Sequence, residues 1–133
     1  MSGLQLGVAT AHDCAKFITF NYTSTVVTGQ IFTTPFKCQV SDILGNTTVA
    51  GTDGSAVTFA FYKSPSGTAV GSGTILHSGT FNVKGTANTN QTLTLVPNVT
   101  TLTLNKGDSI GVVLTGTATT AQGCITIALE PIR

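Results

Sequence analysis

Tryptophan is absent from this chain, and charged residues make up only 8% of it, against about 25% in an ordinary soluble domain. Six Lys and Arg residues against five Asp and Glu give a net charge of +1. The basic residues are spread along the chain, so no patch exists that would attract a phosphate backbone. The sequence therefore predicts no nucleic-acid partner.

Cysteine is scarce as well: the three residues Cys14, Cys38 and Cys124 form no close pair and no CxxC motif, which leaves out the usual metal-binding spacings. No apolar run approaches the roughly 18 to 20 residues of a membrane span. The first residues show neither a cationic start nor a long apolar stretch, so no secretory signal is visible. These features predict a protein made in a reducing cytoplasm, whose free thiols act as small core residues.

The chain is rich in segments in which apolar residues alternate with threonine. Successive side chains of a strand point to opposite faces, so regular alternation predicts one apolar face and one polar face. In the last third, alternating apolar positions occur in four runs: Leu93 and Leu95; Leu102 and Leu104; Ile110, Val112 and Leu114; Ile125, Ile127 and Leu129. Such faces are buried by laying one sheet on another.

About eight to ten short strands are predicted in total, arranged as an antiparallel β-sandwich of jelly-roll type. Residues 1–15 are assigned to an N-terminal arm or edge strand, and residues 16–133 to a single domain. Phe17–Tyr22 is predicted as a strand whose core-facing side the sequence leaves open. Residues 44–56, rich in Gly, Asn and Thr, are predicted as a long loop. Asn105–Asp108 reads as a tight turn in which Gly107 supplies a positive φ.

A catalytic pair is one interpretation of His12-Asp13-Cys14, since a thiol beside an imidazole can act as nucleophile and base. In an extended segment His12 and Cys14 share a face, but the pair needs about 3 Å between heavy atoms. A polar turn leading into the next strand explains the same residues. We therefore predict no catalysis here.

His77 is the other candidate for chemistry, either paired with Asp53 or Asp108 and a serine, or as a metal ligand together with His12, Cys38 and one Asp. No GxSxG elbow accompanies it, and the possible ligands show no metal-binding spacing. A strand histidine with satisfied hydrogen bonds is the simpler interpretation, and Asp108 is expected to accept backbone N–H bonds in its turn. The sequence predicts no enzyme activity, no metal and no cofactor.

The strand-and-turn pattern of residues 57–63 (VTFAFYK) and 102–110 (LTLNKGDSI) resembles that of small jelly-roll proteins. This resemblance covers about the second half of the chain. With the low charge and the richness in Thr and Gly, the chain most resembles the decoration (cement) proteins of tailed-phage capsids. That resemblance implies a homotrimer on the outer capsid surface that bridges major capsid protein subunits, in a virion assembled in the host cytoplasm.

Two functions follow as expectations. The first is a structural virion protein that binds through shape, apolar area and edge-strand pairing, because charge is scarce. Leu4, Leu6 and Val8 alternate in the arm and are the predicted contacts with a neighbouring subunit. The second is a carbohydrate- or receptor-binding jelly roll of a phage tail or fibre, which would need exposed aromatic residues such as Tyr22 or Tyr62.

Overall fold

The computed structural model describes residues 16–132. Within them the chain forms ten strands, a single-turn helix α1 (Val99–Leu102) and a short 3₁₀ helix (Val70–Ser72). The strands are β1 (Lys16–Tyr22), β2 (Gly29–Thr33), β3 (Cys38–Val49), β4 (Thr58–Ser64), β5 (Thr74–Ile75), β6 (Phe81–Asn82), β7 (Asn90–Thr92), β8 (Thr103–Leu104), β9 (Ser109–Thr115) and β10 (Gln122–Pro131). None of the helices in this part of the chain has the length and apolar character needed to cross a membrane.

Two antiparallel sheets pack face to face, which confirms the predicted all-β sandwich. The first sheet has the order β1-β10-β3-β7, with β8 also paired to β3. The second has the order β2-β9-β4-β5, with β6 also paired to β4. The chain crosses repeatedly between the sheets, as in a jelly roll, so that neighbours within a sheet are mostly distant in sequence.

The core lies between the sheets and is centred on aromatic rings. Phe59 is fully buried; its ring centroid lies 4.8 Å from that of Tyr22, 6.0 Å from that of Phe81 and 6.1 Å from that of Phe20. The edge-to-face packing of Tyr22 on Phe59 is a favourable aromatic geometry. Tyr22 is buried too, and its hydroxyl shares a 3.1 Å hydrogen bond with the hydroxyl of Thr47, so the core holds no unpaired phenol.

The prediction of a loop over residues 44–56 is wrong in its first half, because β3 continues as far as Val49. Gly45 and Thr47 of this stretch are core residues. A Cβ on Gly45 would lie 2.5 Å from Cδ1 of Ile125 and 2.9 Å from a ring carbon of Phe81. Thr47 is fully buried because Tyr22 satisfies its hydroxyl. Close packing under aromatic rings requires small residues. Because small residues are also common in loops, this part of β3 has the composition of a loop.

The structure also bears on two smaller predictions, the turn at Asn105–Asp108 and the inward face of β1. Asn105–Asp108 is a turn as expected: Gly107 has φ +95° and a carboxylate oxygen of Asp108 accepts the Asn105 N–H at 2.9 Å. In β1, Phe20 and Tyr22 point inward, which settles the face that the sequence left open. Phe17 has the opposite parity and lies on the outer face, with 70% of its surface exposed.

The predicted strand through Leu102 and Leu104 is only partly correct. The chain first makes the helical turn α1 and reaches the extended state only in β8. Lys63 donates 3.0 Å hydrogen bonds from its Nζ to the carbonyl oxygens of Thr100 and Thr103. These two bonds link β4 of the second sheet to the end of α1 and the start of β8 in the first.

Candidate functional site

The outer edge of β1 is unpaired among the residues that the structure describes. β1 pairs with β10 alone, in an unbroken register from Lys16↔Leu129 to Tyr22↔Gly123. It contains neither Gly nor Pro, and its only charged residue is Lys16 at its start. A strand at an edge presents a row of free N–H and C=O groups, which can pair with another strand.

The other edges in the described region are short or irregular. β5, β6 and β8 have two residues each, and β7 has three. β2 has five, and its register with β9 shifts between Gln30 and Phe32. Short edges and bulges are the usual means by which proteins prevent edge-to-edge pairing. β1, with seven regular residues, lacks such protection.

A groove of about 310 Å³ lies between the second half of β1 and the first half of β2. It is lined by Phe20, Tyr22, Val26, Val27 and Ile31, together with polar residues of the connecting loop. Val27 is 73% exposed, whereas Phe20, Val26 and Ile31 are partly buried against the core. The β1 edge and this groove together, here called the β1 surface, offer both backbone groups and apolar side chains to a partner.

The outer face of the first sheet is uncharged over most of its area. One row across the sheet runs Asn21, Cys124, Asn46 and Asn90, in which the side chain of Asn46 donates a 2.8 Å hydrogen bond to that of Asn90. The half-buried, free thiol of Cys124 sits at a shallow hollow of about 140 Å³. This face therefore offers weak hydrogen-bonding groups and no strong electrostatic recognition.

His77 is buried and both of its ring nitrogens bind backbone groups. The Phe61 N–H donates to Nε2 at 2.9 Å, and Nδ1 lies 3.1 Å from the carbonyl oxygen of Ser78. Nε2 must therefore be the bare nitrogen and Nδ1 the protonated one. Burial lowers the pKa of His77 below its ordinary value of 6.5, and the hydrogen bonds to the Ser78 and Gly79 carbonyls offset part of that effect. The side chain of His77 thus satisfies the Phe61 N–H, which lies in β4 between the part that pairs with β5 and the part that pairs with β6.

The carboxylates considered beside His77 bind loop backbone instead. Asp53 accepts the N–H groups of Gly54 at 3.0 Å and Thr117 at 3.2 Å, and Asp108 accepts that of Asn105. Cys38 is fully buried, and burial raises the pKa of its thiol. Within residues 16–132 no three His, Cys, Asp or Glu side chains come together in a group that could hold a metal ion.

Several sequence-predicted residues lie outside the described part of the chain: Leu4, Leu6, Val8, His12 and Cys14. Sequence reasoning did not single out the β1 surface as a binding site. The signal that could have indicated it is the heptapeptide KFITFNY, which combines high β-propensity with a single charge and no Gly or Pro. Such segments pair readily wherever they are exposed.

Comparison with known proteins gives little. No family model matches the sequence, and no curated protein matches it. Among solved structures, a chain described as "Bacillus endospore appendages form a novel family of disulfide-linked pili" is 18% identical, and the alignment covers 90% of this chain and 88% of that one, with a TM-score of 0.33. A similarity at that level identifies no family.

Proposed function

We propose that this protein is a structural assembly subunit that binds neighbouring proteins through the β1 surface. In its most specific form it is a capsid decoration protein, which forms a homotrimer on the outer surface of a virion and stabilises contacts between major capsid protein subunits. The unprotected β1 edge carries this proposal, because natural β-proteins protect edges that have no partner. The low charge supports it, since little self-repulsion keeps the subunits apart.

Binding by such a subunit rests on main-chain pairing and apolar contact. An added strand gains backbone hydrogen bonds along the β1 edge, and alternate side chains of that strand face the groove. The alternative of a carbohydrate- or receptor-binding module is favoured by no observation. Tyr22, one of its two candidate aromatics, is buried in the core with its hydroxyl bonded to Thr47.

Copy number in purified particles tests the capsid proposal. In lysates of cells that produce the virion, the protein is expected to sediment with capsids and to be present in hundreds of copies per particle after gradient purification. A particle fraction that lacks the protein, while the protein itself is abundant in the soluble fraction, contradicts a role in decoration.

The arm prediction has its own test. Deleting residues 1–10 is expected to abolish capsid binding, because Leu4, Leu6 and Val8 are lost, while the melting temperature stays within a few degrees of that of the full chain. Capsid co-sedimentation measures the binding and circular dichroism measures the fold. A matched control replaces Gln5 with Asn, which keeps all three apolar residues and should bind normally. A truncated protein that still saturates capsids shows the arm prediction to be wrong.

A further inference from the structure

We propose that two copies of this chain pair antiparallel through their β1 edges, about a two-fold axis at Thr19, and so join two five-stranded sheets into one continuous sheet. This contact goes beyond the proposed function because it requires no capsid. In a trimeric decoration protein it would join one trimer to the next, since a two-fold axis relates chains in pairs.

The partner that fits β1 best is another β1. An exposed edge needs a strand of similar length and regularity, and the remaining edges of the described chain are either two to five residues long or bulged. Two identical edges meet through a self-complementary contact, which is the commonest arrangement in homo-oligomers. The seven residues of β1 offer a complete match only to themselves.

The register follows from the faces of β1. Its inward residues must lie opposite inward residues of the second copy, so the sum of the two paired residue numbers has to be even. Only the register centred on Thr19 pairs the whole of Lys16–Tyr22. Ile18 then lies opposite Phe20, an aromatic and β-branched pair of the kind that stabilises sheets.

Charge and exposure agree with this register. Lys16 lies opposite Tyr22 instead of opposite the second Lys16, so the only charges on the two strands are kept apart. Ile18 and Phe20 are incompletely buried in the single chain and gain cover from each other across the axis. Phe17, 70% exposed, lies opposite Asn21 on the outer face. The contact is small, so a concentration-dependent association is expected.

Disulfide trapping tests the register. In a Cys14→Ser, Cys124→Ser background, Thr19→Cys places two thiols directly opposite each other, with Cβ atoms about 4.5 to 5.5 Å apart, close enough for a disulfide after a small adjustment. Oxidised glutathione is expected to convert most of this variant to a linked pair. Thr92→Cys, at the opposite edge of the same sheet and also exposed, is the control and should remain a single chain. Equal linking of both variants overturns the proposal.

Charge swapping tests the contact without a covalent bond. Thr19→Lys and Thr19→Glu each place like charges face to face, so each is expected to raise the dimer Kd about fivefold or more. Mixing the two variants should restore pairing, and added salt should weaken that restored pairing. Thr92→Lys should pair like the unmodified chain. Thr19→Lys with an unchanged Kd, or a mixture no tighter than its components, overturns the proposal.

Four further outcomes separate the alternatives. An unmodified chain that remains single at all concentrations, with Thr19→Cys unlinked, overturns the proposal. If deleting residues 1–15 then makes Thr19→Cys link, the cover of β1 is the chain's own N-terminal segment. If Thr19→Lys loses pairing but still sediments with capsids, the β1 contact stands and capsid binding does not use the β1 edge. If the unmodified chain pairs but is absent from capsids, only the capsid proposal fails.

Discussion

Replacing Phe59 with alanine is expected to lower the free energy of unfolding by about 3 to 5 kcal/mol, the usual cost of removing a fully buried phenylalanine. The ring is enclosed by those of Phe20, Tyr22, Phe61 and Phe81, which come from both sheets. Its loss leaves a cavity that these rings cannot fill without leaving their rotamers. Equilibrium unfolding in urea measures the change, which is a large fraction of the typical native margin of about 5 to 15 kcal/mol.

Phe17→Ala is the matched control, since the same side chain is removed from an exposed position. Measured in dilute protein, where chains are single, it should change the free energy of unfolding by less than about 0.5 kcal/mol. Equal losses for the two variants would contradict the placement of Phe59 at the centre of the core and of Phe17 outside it.

Acidification is expected to destabilise the fold through His77. Burial holds the pKa of this imidazole below its ordinary value of 6.5. Below pH 6.5, the imidazole therefore binds a proton in the unfolded chain but stays neutral in the folded chain. The stability from neutral His77 is fully present above the unfolded pKa. As the pH falls from there towards the folded pKa, it is lost at about 1.4 kcal/mol per pH unit. Protonation of Nε2 would also break the hydrogen bond from the Phe61 N–H.

His77→Gln isolates this effect, because a glutamine amide oxygen can accept the same N–H but does not titrate. Urea unfolding between pH 7.5 and pH 5 is expected to show a steeper loss of stability in the unmodified protein than in the variant. His12 is present in both proteins, so its contribution cancels in the comparison. Parallel pH profiles would contradict the burial and tautomer assigned to His77.

The core of the sandwich could be predicted from the sequence where alternation is regular. Ile125, Ile127 and Leu129 are buried as predicted, because β10 lies in the middle of its sheet and one face must enter the core. Ile110 and Val112 are buried for the same reason. In these strands the local pattern and the tertiary environment agree.

Alternation failed where packing demanded small residues. The second half of β3 resembles a loop in sequence because Gly45 and Thr47 are typical turn residues, yet they are buried beneath aromatic rings from distant strands. Phe17 shows the reverse case: it is a large apolar residue, yet its parity within β1 places it outside. Neither outcome follows from hydropathy alone.

The β1 surface could not be predicted because an edge is a property of strand order. β1 lies beside β10 although about a hundred residues separate them along the chain, and only this long-range arrangement shows which side of β1 has no neighbour among the described residues. The groove likewise arises where the chain passes from one sheet to the other between β1 and β2. The sequence of β1 shows a segment with high β-propensity, but only the fold shows that one edge of this strand is exposed.

Hydrogen exchange at the backbone amides of β1 tests most directly whether this edge is an assembly surface. In a lone edge strand, alternate N–H groups have no acceptor and exchange fast. Pairing predicts slow exchange at every amide from Phe17 to Asn21 in concentrated protein, with alternate amides becoming fast on dilution and in Thr19→Lys. Fast exchange at alternate β1 amides in concentrated protein would contradict the use of this edge for assembly.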